Sequence, residues 1–285
     1  MIDLHGWAAF GVVTGAALVW LIILQATTFA IGHRLGRYNV VDVTWGAGFV
    51  GVGIIALILG PGDPLRRWLL AVLVAFWGLR LTWHVWSKTK GKGEDPRYEE
   101  MLGRAGGGVG TVIKKVFATQ GAAQWFVSLP IQVSAVVGAT SGPWIVVLVV
   151  GVALWLVGQV FEAVGDAQLK SFKADPANKG KVMDRGLWAW TRHPNYFGDS
   201  AVWWGIWLVA ASAWPGVVTV LSPVIMTYFL VFATGARLLE KSMSKRPGYP
   251  EYQERTSYFI PLPPKKNQGD GDPATSGTPR GGERS

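Results

Sequence analysis

Glu162, Asp166 and Lys170 recur at intervals of four residues. On a helix they share one face, with Lys173 close by. Further along, the segment GLWAWTRHPNYFGD brings Arg192, His193, Asn195, Tyr196 and Asp199 together around Pro194. Proline suits the first turn of a helix. A helix starting there turns its free N–H groups and positive dipole end the same way as Arg192 and His193. That is chemistry for an anion such as a phosphate or pyrophosphate. Asn195 and Asp199, reaching inward, suit an amide or a ribose. Plainer roles stay open beside these: a salt-bridged helix end for Glu162, Asp166 and Lys170, and membrane anchoring plus a cap for the Arg192 group. Anchoring needs cations, however, and not an acid and an amide.

Other polar stretches are read in the same way. Asp42, in NVVDVTWGAGF, is either a helix N-cap or a functional acid. Arg80 lies in an apolar run, where it either snorkels or serves a site, since ionisable groups inside membrane spans are costly and usually functional. In GKGEDPRYEE, Asp95-Pro96 is a helix start whether or not Arg97 and Tyr98 also touch a ligand. GRAGGGVG follows no strand and lacks a Gly-Lys-Ser/Thr ending, so it is no phosphate loop. The four His residues are scattered singly and there is no Cys, so no metal site is expected and thiolate chemistry is excluded.

The elements that must hold these groups are membrane helices. Only 16% of the 285 residues are charged, against about 25% in soluble domains. Seven apolar stretches are expected to span: 7–31, 40–59, 68–86, 120–138, 144–161, 199–213 and 216–234. The net charge of +9 would suggest nucleic acid in a soluble protein, but 24 of the 27 Lys and Arg residues fall on one side of this map. That side is the cytosol, with the N-terminus outside and the C-terminus inside. The exceptions are Arg66, Arg67 and the intramembrane Arg80. The expected class is all-α and polytopic, with one domain over 1–264. The remainder to 285 is Gly, Pro, Ser, Thr and charge, expected to be a disordered cytosolic tail.

GLWAWTRHPNYFGD resembles the signature of the steroid 5α-reductase superfamily, whose RHPxYxG core is shared by isoprenylcysteine carboxyl methyltransferases. NVVDVTWGAGF, GKGEDPRY, FEAVGDAQLKSFKADPANKGKVMDRGLW and EKSMSKRPGYPEYQERTSYFIPLPP resemble its bacterial branch of unknown function, from about Asn39 to Pro264. The resemblance implies NADPH in a cytosol-facing pocket of the C-terminal half, about 144–264, in a bacterial inner membrane. By position it gives cofactor roles to Arg80, Asp166, Asn195, Asp199, Arg237 and Tyr252. Glu162 stands where the reductases have Asn, Lys170 and Lys173 where they have basic residues, and Lys241 where they have His. Arg97, Tyr98, Arg192, His193 and Tyr196 join the expected cofactor set. The Glu and Tyr that polarise a steroid enone have no secure match, although Asp42 is a candidate for the acid and Trp77 lies near the Tyr position.

The expected activity is NADPH-dependent reduction of a carbon–carbon double bond in a lipid drawn from the bilayer, with Asp42 and Tyr196 the catalytic candidates. A polarising carbonyl or a protonating acid is needed. Two alternatives stand beside it: an S-adenosylmethionine-dependent methyltransferase using the same pocket, and a non-enzymatic scaffold or channel. The basic set favours a polyphosphate over a zwitterionic methyl donor. A channel should carry polar groups through its spans, whereas these gather at their mouths. No nucleic-acid partner is expected, and oligomeric state is not legible.

Overall fold

The computed structural model describes residues 4–104, 106, 108–233 and 235–265. Beyond Lys265, the expected disordered tail lies outside the described residues. Among those described, all regular structure is helical, and a lone bridge joins Thr191 to Ser257. The helices are α1 (Leu4–Leu35), α2 (Val40–Leu59), α3 (Pro64–Thr89), α4 (Pro96–Arg104), α5 (Val109–Val112), α6 (Thr119–Val127) and α7 (Leu129–Ser134). There follow α8 (Trp144–Ala174), α9 (Leu187–Trp190), α10 (Pro194–Ala211), α11 (Leu221–Tyr228), α12 (Ala236–Met243) and α13 (Tyr249–Arg255).

Five stretches are long and apolar enough to cross a bilayer: Gly6–Leu35, Val40–Leu59, Pro64–Thr89, Trp144–Ala174 and Gly216–Met243. Two expected spans, 120–138 and 199–213, are not among them. The first is broken between α6 and α7, where Pro130 lacks the N–H that would continue the ladder. The second lies in α10, whose first turns carry Asn195 and Asp199.

The broken segment is held by buried amides. Gln25 Nε2 donates to Gln124 Oε1 (2.7 Å), and Gln124 Nε2 donates to the Trp45 carbonyl (2.8 Å). Thr14 donates to Gln132 Oε1 (2.6 Å), and Gln132 Nε2 donates to Ser128 Oγ (2.7 Å). In hydrocarbon an unmatched polar group costs several kcal/mol, so these side chains pair with one another, with Gln25 Oε1 left over. Arg66 and Arg67, the two cations on the sparse side, are likewise engaged inside the protein. Arg66 is wholly buried and donates to Ser134, Thr140 and the carbonyls of Val137 and Gly138. Arg67 donates to the carbonyls of Leu57 and Gly62.

Glycines set the closest helix contacts. Lipid removes the hydrophobic drive between spans, so small residues and backbone approach take its place. On α8, Gly151, Gly158 and Gly165 recur every seven residues, and Gly198 and Gly205 do so on α10. A Cβ on Gly205 would meet the Gly151 carbonyl oxygen at 2.7 Å, and one on Gly165 would meet the Pro194 ring at 3.2 Å. Gly46 of α2 and Gly78 of α3 touch in the same way. Between these pairs Phe49, Trp77 and Trp203 form a buried aromatic knot, with Phe49 and Trp203 centroids 4.5 Å apart and Trp77 and Trp203 5.3 Å apart. Such pairs contribute about 0.5–1.5 kcal/mol each beyond burial.

At one end of the bundle the α1–α2 turn, the end of α3, α4, the end of α8 and the start of α10 converge. Glu94 accepts from the N–H groups of Tyr38 and Asn39 and so closes the start of α2. The N-cap alternative for Asp42 is therefore not what the fold uses. Asp95 does cap α4, accepting from Arg97 N–H at 2.9 Å, with Pro96 in the first position.

Candidate functional site

Arg80 sits on α3 opposite two acids of α8. Its Nη2 pairs with Glu162 Oε1, and its Nη1 lies 3.5 Å from Asp166 Oδ2. Asp166 also holds His84 Nδ1 at 3.6 Å and accepts from Asn195 Nδ2 at 3.2 Å. Asp199, one turn after Asn195 on α10, is buried within electrostatic reach of Glu162, Arg80, Asp166 and the Trp77 indole. The four-residue spacing of Glu162 and Asp166 does place both on one face, as the sequence indicates, and α10 presses onto that face through its glycines. Arg80 is engaged with acids rather than reaching for the interface. Buried polar atoms here have no protein partner: Glu162 Oε2, Asp199 Oδ1, both amide atoms of Gln159 and the indole N–H groups of Trp77 and Trp203.

Beside this cluster stands a second. Tyr98 on α4 donates to Asp42 Oδ1 at 2.6 Å, and Arg97 Nη2 lies 3.8 Å from Asp42 Oδ2 and 2.9 Å from Asp95 Oδ2. Burial, followed by the Asp42 carboxylate, pushes the Tyr98 hydroxyl well above its ordinary range. The bond to Arg97 holds Asp95 below the usual carboxylate range. Tyr196 lies between the clusters, within electrostatic reach of Arg97, Asp166, Asp199 and Asp42.

The aqueous rim is basic. Lys88 and Lys170 act on His84, and Lys88, Lys92 and Arg246 act on Lys173. Over an acidic floor, two cations thus come from α3 and the loop after it, two from α8, and one from the loop after α12.

Arg192 and His193 are arranged differently from the open anion site that their positions suggest. Pro194 does start α10, but the anion beside it is internal. Glu240 accepts from Arg192 Nε (2.8 Å) and Nη2 (3.2 Å), Tyr249 Oη (2.8 Å) and Gln253 Nε2, with His193 Nε2 at 3.0 Å. Arg192 Nη1 donates to the carbonyls of Gln253 (3.0 Å) and Thr256 (2.6 Å). Tyr252 is buried and donates to the Trp188 carbonyl at 2.5 Å. These contacts clamp the segment 236–262 onto the start of α10. Arg237 and Lys241 face outward, lining a shallow groove of about 430 Å³ with Phe232 and Leu238.

The geometry therefore joins Arg80, Glu162, Asp166, Asn195 and Asp199 in one cluster, and Asp42, Arg97, Tyr98 and Tyr196 beside it. Lys170 and Lys173 lie on the rim. Arg192, His193 and Tyr252 belong to the clamp. Sequence reasoning missed His84, although its four-residue offset from Arg80 was a signal. It also missed Gln159, three residues before Glu162, and the hub Glu240.

A family model described as "Protein of unknown function (DUF1295)" matches residues 28–256. The chain belongs to that family. The DUF1295 match takes in both clusters, the rim and the Glu240 clamp as far as Thr256. No curated protein and no solved structure matches the chain.

Proposed function

We propose that this DUF1295 protein is a membrane reductase that uses NADPH to saturate a carbon–carbon double bond in a lipid. The observation that carries this reading is the charge layering of the site. Lys88, Lys92, Lys170, Lys173 and Arg246 form a basic rim above a floor where Glu162, Asp166 and Asp199 outnumber Arg80. A ligand that is polyanionic at one end and becomes cationic at the other suits both layers. When bound, NADPH supplies hydride to one carbon of the double bond and is left with a positively charged nicotinamide ring.

The rim lysines would hold the phosphates, including the 2′-phosphate, while Asn195 and the floor acids would orient the amide end. The Asp42–Tyr98 pair supports an acid-assisted polarisation of a carbonyl conjugated to the double bond. A donor aimed at developing oxyanion charge is worth about a hundred- to a thousandfold in rate. Likeness to the steroid 5α-reductase superfamily, carried by the RHPNYFG run, points the same way. The reading places the basic rim in the cytosol, with seven crossings if α6–α7 and α10 complete the bundle.

Detergent-solubilised protein titrated with NADPH, NADH and S-adenosylmethionine tests the proposal. A charge-assisted contact to the 2′-phosphate is worth roughly 1.5–3 kcal/mol, or about ten- to hundredfold tighter NADPH binding than NADH. Equal affinities would remove the role given to the rim. The acid surplus also suits the sulfonium of S-adenosylmethionine, so binding of that ligand alone would replace the reductase with a methyltransferase.

A further inference from the structure

Three carboxylates surround one guanidinium, and the contacts leave one acid over. Arg80 binds Glu162 through Nη2 and approaches Asp166 through Nη1, while His84 and Asn195 also engage Asp166. Among the described residues no ion pair joins Asp199 to a cation. Asp199 is 7% exposed, and its Oδ1 has no hydrogen-bond partner. The surroundings favour neither water nor charge. One turn deeper on α10, Trp203 is wholly buried with its indole N–H unpartnered; one turn deeper than Glu162 on α8, Gln159 is 6% exposed with both amide atoms unpartnered. A lone carboxylate in such a place carries a desolvation penalty that neutralisation removes. A carboxylic acid, unlike the anion, also offers an O–H donor to acceptors beside it, such as the free Oε2 of Glu162.

We propose that Asp199 is held as a neutral carboxylic acid and that its proton is the one consumed in the reduction. The destination of the proton rests on the reductase reading; its presence on Asp199 does not. The groups acting on Asp199 are Trp77 and Arg80 from α3 and Glu162 and Asp166 from α8, and His84 reaches the cluster through Asp166. On α10 Tyr196 lies within electrostatic reach of it, Asn195 binds its neighbour Asp166, and Thr227 stands behind Ser200. Asp42 and Arg97 act on Tyr196 from the neighbouring cluster.

Positive charge arriving at the acidic floor favours the Asp199 anion, so its O–H bond breaks and the electron pair stays on the carboxylate. The proton passes by way of the Tyr196 hydroxyl, one turn earlier on the same helix, to the carbon that did not receive hydride. One hydride and one proton are added, and the carbon–carbon π bond is lost. Asp199 is then recharged from the aqueous side through Asp166 and His84, whose side chain is 33% exposed.

Infrared spectroscopy of the nucleotide-free, solubilised protein at neutral pH provides the test. A carboxylic-acid C=O stretch sensitive to H/D exchange is expected in the wild type. It should be absent in Asp199→Asn and retained in Glu162→Gln and Asp166→Asn. No such band, or its loss in Glu162→Gln with survival in Asp199→Asn, overturns the assignment. If Asp199→Asn does not fold, persistence of the band in both other variants supports the assignment, and its loss in either overturns it. In a second arm, NADP⁺ binding should release about one proton and NADPH binding none, and the release should vanish in Asp199→Asn. Undiminished release in that variant overturns the proposal. Failure of either nucleotide to bind overturns the reductase reading and the proton's destination, while the infrared band still decides whether Asp199 is neutral.

Discussion

Gly158 of α8 and Gly198 of α10 face each other so closely that a Cβ on either would lie 2.6 Å from the other's carbonyl oxygen. A Cβ on Gly198 would also lie 2.5 Å from the Glu162 nitrogen. This backbone contact sets the separation of Glu162 and Asp199, one residue beyond Gly198. Alanine at either glycine must push the helices apart. Overpacking of this kind costs about 1–3 kcal/mol, so Gly158→Ala and Gly198→Ala should lower the melting temperature in detergent. Gly11→Ala on α1 meets nothing within 4 Å and should leave it unchanged. Equal melting temperatures for all three variants would deny the close crossing.

The Glu240 hub should behave as an anchor. Arg192 and Glu240 are both nearly buried, with side chains 10% and 11% exposed. Removing one partner of such a pair costs about 3–5 kcal/mol, because the other charge is left uncompensated. Glu240→Ala should therefore destabilise the protein and speed hydrogen exchange in 236–262 ahead of the spans. Glu240→Gln, which can still accept hydrogen bonds, should be milder. Uniform exchange along the chain in Glu240→Ala would show that the clamp does not hold that segment.

Tyr98 sets an alkaline limit. Its hydroxyl is pushed up in the folded protein by burial and by Asp42, whereas the unfolded value is about 10. The stability it contributes is complete below that value and declines as pH rises toward the folded value, since the unfolded chain loses its proton first. Tyr249 and Tyr252 are raised in the same direction by burial first and then by neighbouring groups, so the comparison needs a variant. Tyr98→Phe should be less stable at neutral pH by about 1 kcal/mol, the net worth of one hydrogen bond, yet lose less stability on alkalinisation. Parallel pH profiles for the two proteins would remove Tyr98 from the alkaline transition.

The legible and illegible parts of this molecule divide by range. Asp95-Pro96 and Pro194 announce helix starts because a cap is a local event. Glu162 and Asp166 share a face because four residues make about one turn. The mouth positions of the polar groups followed from low charge elsewhere. The partner of Arg192 was not legible, because Glu240 lies 48 residues away across a fold the motif does not describe. Asp42 looked like a cap because it sits in the first turn of α2, but Glu94 from a separate segment took that role. The break at Pro130 was written in the sequence and obscured by the apolar run around it. The seven-residue recurrence of Gly151, Gly158 and Gly165 was also present, but its meaning depends on the matching glycines of α10.

The rim should decide cofactor choice. Lys173 shares its surroundings with Lys88, Lys92 and Arg246, and no carboxylate is among the charges found to act on it. Lys173→Glu should weaken NADPH binding more than NADH binding, and added salt should erase part of the difference. The readout is the ratio of the two affinities, which a general loss of fold would leave unmoved. An unchanged ratio in Lys173→Glu and in Lys170→Glu would place the phosphates elsewhere.

Topology can be tested without background, because the natural chain has no cysteine. Ser141, before α8, and Lys179, after it, are both exposed and lie at opposite ends of that long helix. The Lys and Arg asymmetry predicts that the second faces the cytosol. In intact cells, a membrane-impermeant maleimide should label Ser141→Cys and leave Lys179→Cys unlabelled until the membrane is opened. A third cysteine at Trp214, 65% exposed between α10 and α11, asks whether α10 crosses. Its labelling from outside requires that crossing, since the start of α10 is tied to the Asp166 end of α8. Protection of Trp214→Cys together with labelling of Ser141→Cys would mean that α10 dips into the membrane and returns. Labelling of Lys179→Cys in intact cells would invert the protein and put the basic rim, and any NADPH it binds, on the wrong side.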